Sequence, residues 1–208
     1  MKKTMYVVAI SMLFLTACKN EKKQTNAEMQ PGMEMQNNAK PINNGMKTNS
    51  MMQKNKRNNE YVVTQKNKTT TPIIEAYLDL KNGLADDSNG KATKSAEKLL
   101  KAFANFDRSK LSEEQKKKYI DIEDDAKENA EHISKNPIEH QREHFESLSV
   151  DINDLVILLG TSKTLYQYFC PMVGDGKGAI WLSETKETSN PYLGRKTPTC
   201  GTIQKQIN

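Results

Sequence analysis

Between Pro72 and Gly160 apolar residues return every three or four positions, and the pattern breaks only three times. That period is the signature of a helix burying one face, so it constrains the fold more than any other feature of the chain. Ile73, Tyr77, Leu80 and Leu84 form the first stripe, with Pro72 suited to a first helical turn. After the break at Asp86-Asp87-Ser88-Asn89-Gly90, Ala92, Ala96, Leu99, Phe103 and Phe106 form the second. Ser112, with Gln115 three residues on, is a capping-box signal and opens a third helix along Tyr119, Ile122, Ala126, Ala130 and Ile133. Asn136-Pro137 supplies an N-cap and a proline at the first helical position. The fourth stripe, Phe145, Leu148, Ile152, Leu155 and Leu159, ends at Gly160. Four amphipathic helices joined by short turns predict a mainly α fold, an up-down four-helix bundle.

Beyond Gly160 the period shortens. Thr164 to Met172 is rich in β-branched and aromatic residues, Gly174-Asp175-Gly176 is a turn signal, and Ile180 to Leu182 can return as a partner strand. Residues 161–208 therefore read as a small hairpin or irregular lobe on one end of the bundle. This lobe holds two of the three cysteines, the only Trp and the only Met beyond residue 52. Thiolate and thioether are soft donors that select Cu(I). In Cys170-Pro171-Met172 the proline restricts the backbone between two of them. Cys170, Met172 and Cys200 are thus candidate primary ligands of a soft ion. The same two cysteines can instead oxidise to a disulfide, whose loop of about 30 residues would add roughly 3–4 kcal/mol. A pair oxidised when empty and ligating when reduced is the intermediate case.

The ends of the chain separate by charge. Lys2-Lys3, the apolar run Met5 to Leu15 and the small residues Thr16-Ala17 make residues 1–17 a secretory leader. Leu15-Thr16-Ala17-Cys18 resembles the lipobox of bacterial lipoproteins, which implies Cys18 as a lipidated mature N-terminus. Residues 18–71 hold many Asn, Gln and Lys and no sustained period, and are expected to be a disordered tether. Residues 19–71 carry ten Lys/Arg against four Asp/Glu, whereas residues 72–208 carry nineteen against twenty-two. The net charge of +5 therefore belongs to the leader and tether. A basic tether beside a lipid anchor suits an anionic membrane surface, and the domain itself has no basic motif for nucleic acid. The tether also carries Met29, Met33, Met35, Met46, Met51 and Met52. Of these, Met33 with Met35 and Met51 with Met52 stand close enough in sequence to act as auxiliary Cu(I) donors. Compositional drift in a linker would explain them equally.

His140-Gln141-Arg142-Glu143-His144 places two imidazoles on one helical face. The pattern is that of inverted zinc peptidases. No segment supplies a third ligand, and no activated nucleophile or phosphate loop is visible elsewhere, so the chain does not read as an enzyme. Either imidazole can still serve as a metal ligand, and His132 is expected to be merely exposed. The acidic run Asp121, Glu123, Asp124, Asp125 and Glu128 is spread by a helix over several faces and reads as solvated. Trp181, Tyr166, Tyr168 and Tyr192 read as packing.

Four motifs, Cys170-Pro171-Met172, Gly178-Ala179-Ile180-Trp181-Leu182-Ser183, Asn190-Pro191-Tyr192 with Gly194, and Cys200-Gly201, occur in this order. They resemble an uncharacterised periplasmic domain family over about Ile73 to Ile203. That domain stands alone in lipoproteins of Gram-negative bacteria and fused to the membrane-fusion adaptor subunits of copper and silver efflux pumps. His140 resembles a family position in the run before Arg142 and Phe145, so the resemblance implies it, ahead of His144, as a possible fourth metal ligand. One position departs from the pattern: Thr197 stands where the family usually has Met. The resemblance implies a periplasmic protein anchored to a membrane, the outer one by preference, that buffers Cu(I) or exchanges it with an efflux adaptor. The competing expectation is a structural or interaction module of the cell envelope, held together by a Cys170–Cys200 disulfide.

Overall fold

The computed structural model describes residues 60–62 and 64–208, which form four α-helices and one four-stranded sheet. The helices are α1 (Thr71–Ala85), α2 (Asn89–Ala104), α3 (Glu113–Lys135) and α4 (Ile138–Leu159). Each packs on the next in sequence and α4 returns to α1, the expected bundle. The core is made by the anticipated stripes: Leu80, Leu84, Leu99, Phe103, Tyr119, Ile133, Phe145 and Ile152 are all fully buried. At the start of α3 both halves of the capping box form, Gln115 N–H donating to Ser112 Oγ and Ser112 N–H to Gln115 Oε1. α4 starts one residue later than Asn136-Pro137 suggests. Pro137 has extended backbone and is itself the cap, while Asn136 Nδ2 turns back to donate to the His132 carbonyl.

The C-terminal lobe is more regular than a hairpin. β2 (Leu165–Cys170) pairs antiparallel with β3 (Ala179–Ser183) on one side and with β4 (Thr202–Ile207) on the other. β1 (Glu60–Val62) adds to the far edge of β4 in parallel, giving the order β1-β4-β2-β3. This corrects the expected boundary at residue 72, because the segment ahead of α1 belongs to the folded unit. Thr64 N–H donates to the Asn208 carbonyl, Thr161 N–H to the Gln65 carbonyl, and Asn67 Nδ2 to the Leu159 carbonyl. Gly160 permits this approach. Its φ is +85°, and a Cβ there would stand 2.0 Å from the Gln65 carbonyl oxygen. The leader, Cys18 and the tether methionines, including Met33, Met35, Met51 and Met52, lie outside the described residues.

The sheet is fixed to the bundle through β3, which lies against α1 and α4. A buried hydroxyl cluster forms this joint. Tyr77 Oη on α1 and Ser149 Oγ on α4 are 2.9 Å apart, and Tyr192 Oη donates to the Ile180 carbonyl at 2.5 Å. Leu182 N–H, on the outer edge of β3, donates to Tyr77 Oη at 3.0 Å, so a strand edge that would otherwise be unpaired is satisfied by a helix. Burial accordingly pushes the Tyr77 and Tyr192 hydroxyls far above their usual titration range, and both stay neutral hydrogen-bonding groups. Among the described residues no helix is long and apolar enough to cross a membrane.

Candidate metal centre

The sulfur residues of the lobe do not assemble into an ion site. Cys170, at the end of β2, and Cys200, just before β4, are joined as a disulfide with their Cα atoms 5.7 Å apart. Cys170 is fully buried. Thiolate is the ligating form of cysteine, and a disulfide supplies none. Met172 sits in the turn after β2, is 63% exposed and stands outside the core that the disulfide joins. The loop inside the disulfide is organised by Asn190, which is fully buried. Its Oδ1 accepts from Tyr192 N–H and Leu193 N–H, and its Nδ2 donates to the Cys200 carbonyl. Asn190-Pro191-Tyr192 is thus a structural turn. Thr197 contributes its carbonyl to Cys200 N–H.

His140 faces away from that lobe. Arg142 Nε donates to the Pro191 carbonyl at 2.9 Å, and Glu146 lies against Gly174, so those two side chains mark the lobe-facing side of α4. Residues of an α-helix are about 100° apart around its axis, so His140 and His144, each two positions from Arg142, point to the opposite side. There they meet α3. The expected set of Cys170, Met172, Cys200 and His140 is therefore divided between two faces of the molecule.

On the α3 side a different cluster forms. His132, His140 and His144 each offer a ring nitrogen, and these three atoms lie within 4.8 Å of one another. His140 Nε2 and His144 Nε2 are 3.1 Å apart. His132 stacks on His144 with ring centroids 4.1 Å apart and meets His140 at 5.9 Å. The outer nitrogens are taken. His140 Nδ1 is 2.8 Å from Glu143 Oε2, and His144 Nδ1 is 3.0 Å from Asn129 Oδ1. Both partners are acceptors, so each Nδ1 carries the hydrogen and each neutral ring keeps its lone pair on Nε2. Two lone pairs then face each other across 3.1 Å. Such a pair repels unless a proton or a cation lies between the nitrogens. Two imidazoles on one tetrahedral ion have nitrogens about 3.3 Å apart, given metal–nitrogen bonds of about 2.0–2.1 Å. Orientation of ligating imidazoles by a carboxylate or an amide oxygen at the second nitrogen is the usual support of such sites. His132 has its ring parallel to that of His144, so it must turn about its side-chain bonds to direct a lone pair inward. It is exposed and can do so.

The electrostatics favour the neutral form of His144. Partial burial lowers the pKa of His144, and the neighbouring His132 and His140 lower it further, against weaker opposition from Glu143 and Glu128. Deeper between α3 and α4, Asp151 is pushed the other way, up to about 6, by burial first and then by the charge of Asp125. A carboxyl whose folded pKa lies above its usual 3.8 favours folding below that value and loses the contribution as pH rises through about 6. Asp151→Asn is therefore expected to stabilise the protein at pH 7–8 by about 1–2 kcal/mol, allowing for solvent screening, with the gain vanishing below about pH 4. Urea melts of both proteins at the two pH values measure this.

His132 is the member of the cluster that sequence reasoning passed over. Its signal was present in the short turn at Asn136-Pro137. In an antiparallel helical hairpin, residues equally far from the turn become neighbours, which sets His132 beside His140 and Asn129 beside His144. The acidic run is spread over several faces of α3, but it is not all solvated as expected. Glu123 is buried, its charge met by Arg108 with Oε2 2.6 Å from the guanidinium, while Asp125 lies on a different face near Asp151.

Comparison with known proteins adds a family without an activity. Residues 73–164 match a family described as protein of unknown function (DUF3347). The match covers nearly all of the bundle and stops before β2. The four lobe motifs all lie beyond it, so the resemblance expected as far as Ile203 is supported only over the helices. No curated protein and no solved structure matches the chain. Over its helical part, which includes all three histidines, the chain matches an uncharacterised domain family.

Proposed function

We propose that this chain is a lipid-anchored periplasmic metal-binding protein whose ion sits between His132, His140 and His144. The observation that carries the reading is the convergence of three imidazole nitrogens within 4.8 Å, with two of the rings oriented from behind by Glu143 and Asn129. Imidazole suits zinc, copper and nickel, and affinity for divalent ions rises to a maximum at Cu(II). The cargo is therefore copper, held as Cu(II) by nitrogen rather than as Cu(I) by the lobe sulfurs. The role is copper buffering or exchange with an efflux adaptor. The lipobox ending at Cys18 and the basic tether support an anchored position at the outer membrane. Met33, Met35, Met51 and Met52 are auxiliary donors for the reduced ion.

The test uses residues 18–208 with Cys18→Ser, kept oxidised, dialysed separately against Cu(II) and Zn(II) and read by elemental analysis. One ion per chain is expected, copper more tightly than zinc. His140→Ala and His144→Ala should each weaken zinc binding at least about tenfold, as loss of a direct ligand exceeds loss of its support. Absence of bound ion would overturn the reading. The disulfide favours a second reading, an envelope interaction module without metal. That reading gains if neither ion binds while the fold is intact.

A further inference from the structure

Asn129 lies on α3 between the histidines and Asp151, and its amide has only one orientation that its neighbours accept. One end, Nδ2, is 3.0 Å from the Asp125 carbonyl and 3.3 Å from Asp151 Oδ2. A backbone carbonyl and a carboxylate both accept, so the donating end of the amide belongs there. The other end, Oδ1, then faces His144 Nδ1 at 3.0 Å and can only accept. His144 must therefore donate from Nδ1, which leaves the lone pair on Nε2. That nitrogen is the one lying 3.1 Å from His140 Nε2, inside the cluster. Were the proton on Nε2 instead, His144 would present a hydrogen to the ion and its lone pair to another acceptor.

We infer that Asn129 is a positioning residue of the metal centre, its amide anchored by Asp125 and Asp151 and holding His144 in the tautomer whose Nε2 is ready to ligate. The inference rests on the three-histidine reading for its purpose but not for its geometry, since the hydrogen bonds exist without an ion. Neither the helix nor the core requires an Asn here. Asn129 is only half-buried, and its side chain joins two helices that are already packed through Ala126, Ala130, Phe145 and Leu148. Its hydrogen bonds instead form a line from a carboxylate to a candidate ligand.

The experiment reads the tautomer and the affinity separately. In metal-free residues 18–208 with Cys18→Ser at pH 8, long-range nitrogen–proton correlation NMR identifies which nitrogen of His144 carries the hydrogen. Nδ1–H is expected in the wild-type sequence. Asn129→Leu should shift His144 toward Nε2–H and weaken Zn(II) binding about 10- to 100-fold. Asn129→Asp combined with Asp151→Asn, which keeps an acceptor facing His144 and gives the second carboxylate oxygen a donor at position 151, should restore Nδ1–H and most of the affinity. Asn129→Ala serves as the second acceptor-free variant if the leucine disturbs the helix pair. Nε2–H in the wild type, or an unchanged tautomer and zinc affinity in both acceptor-free variants, would overturn the inference while leaving the three-histidine site standing. Failure of the wild-type chain to bind zinc at all would instead remove the centre itself, and the positioning role with it.

Discussion

Removing the disulfide with Cys170→Ala and Cys200→Ala together is expected to cost about 3–4 kcal/mol of stability and to leave zinc binding unchanged. The bond closes a loop of separation 30, and releasing it returns that loop's entropy to the unfolded chain. The loop contains β3, the Asn190 turn and the one-turn helix Gly194–Lys196, so the variant loosens the sheet first. A lowering of the melting temperature on the order of 10 °C follows for a chain of this size. The histidines are on α3 and α4, outside the loop, and their supports Glu143 and Asn129 are on those helices as well. Urea melts and zinc titration of the same variant check both halves. A loss below about 1 kcal/mol would show that the unfolded chain keeps the loop closed without the bond. Loss of zinc binding in a folded variant would show that the ion depends on the lobe and not on the α3–α4 histidines alone.

Trp181→Ala should be as damaging, at about 3–5 kcal/mol, the usual range for deleting a large buried aromatic. Trp181 is fully buried on β3, stacked on Tyr168 at 5.0 Å and edge-on to Tyr192 at 6.1 Å. Gly201 closes over its far edge with φ of +149°, where a Cβ would stand 2.4 Å from the ring. The indole therefore fills the space between the sheet, the Asn190 turn and the residue that follows Cys200. Trp181→Phe is expected to cost roughly half as much. The indole N–H has no hydrogen-bond partner among the described residues, so its removal sacrifices packing alone. Thermal melts followed by far-ultraviolet circular dichroism give the comparison. Equal losses for Phe and Ala would mean that the N–H is engaged after all.

The helical half of this molecule was legible because its signals are local. The stripe from Ile73 to Leu84, the capping box at Ser112 and Gln115, and the stop at Gly160 each act over a few residues, and the structure uses them all. β1 was not legible, since three residues carry no period and their hydrogen bonds come from β4, about 145 positions later. The boundary placed at residue 72 failed for the same reason. The Asn190 turn was visible as a turn, but the structural use of both its amide ends was not, since their partners lie up to ten residues away. At the candidate site the chemistry of individual residues was read more easily than their grouping. Cys170 and Cys200 were seen to be able either to pair or to ligate, and only tertiary structure could choose. His140 was read as lying on one face with His144, as the structure has it, but its grouping with the lobe sulfurs does not form. Arg142, two residues on, reaches the lobe, so His140 cannot. His132 needed the helical hairpin and the residue spacing to be considered together.

X-ray absorption of zinc-loaded residues 18–208 with Cys18→Ser tests the central claim most directly, because zinc has one valence and its ligand distances differ by element. Three imidazoles from His132, His140 and His144 require a first shell of nitrogen or oxygen at about 2.0–2.1 Å, with the outer-ring scattering of histidine behind it. A shell at about 2.3 Å would mean sulfur on the ion, and would contradict the account.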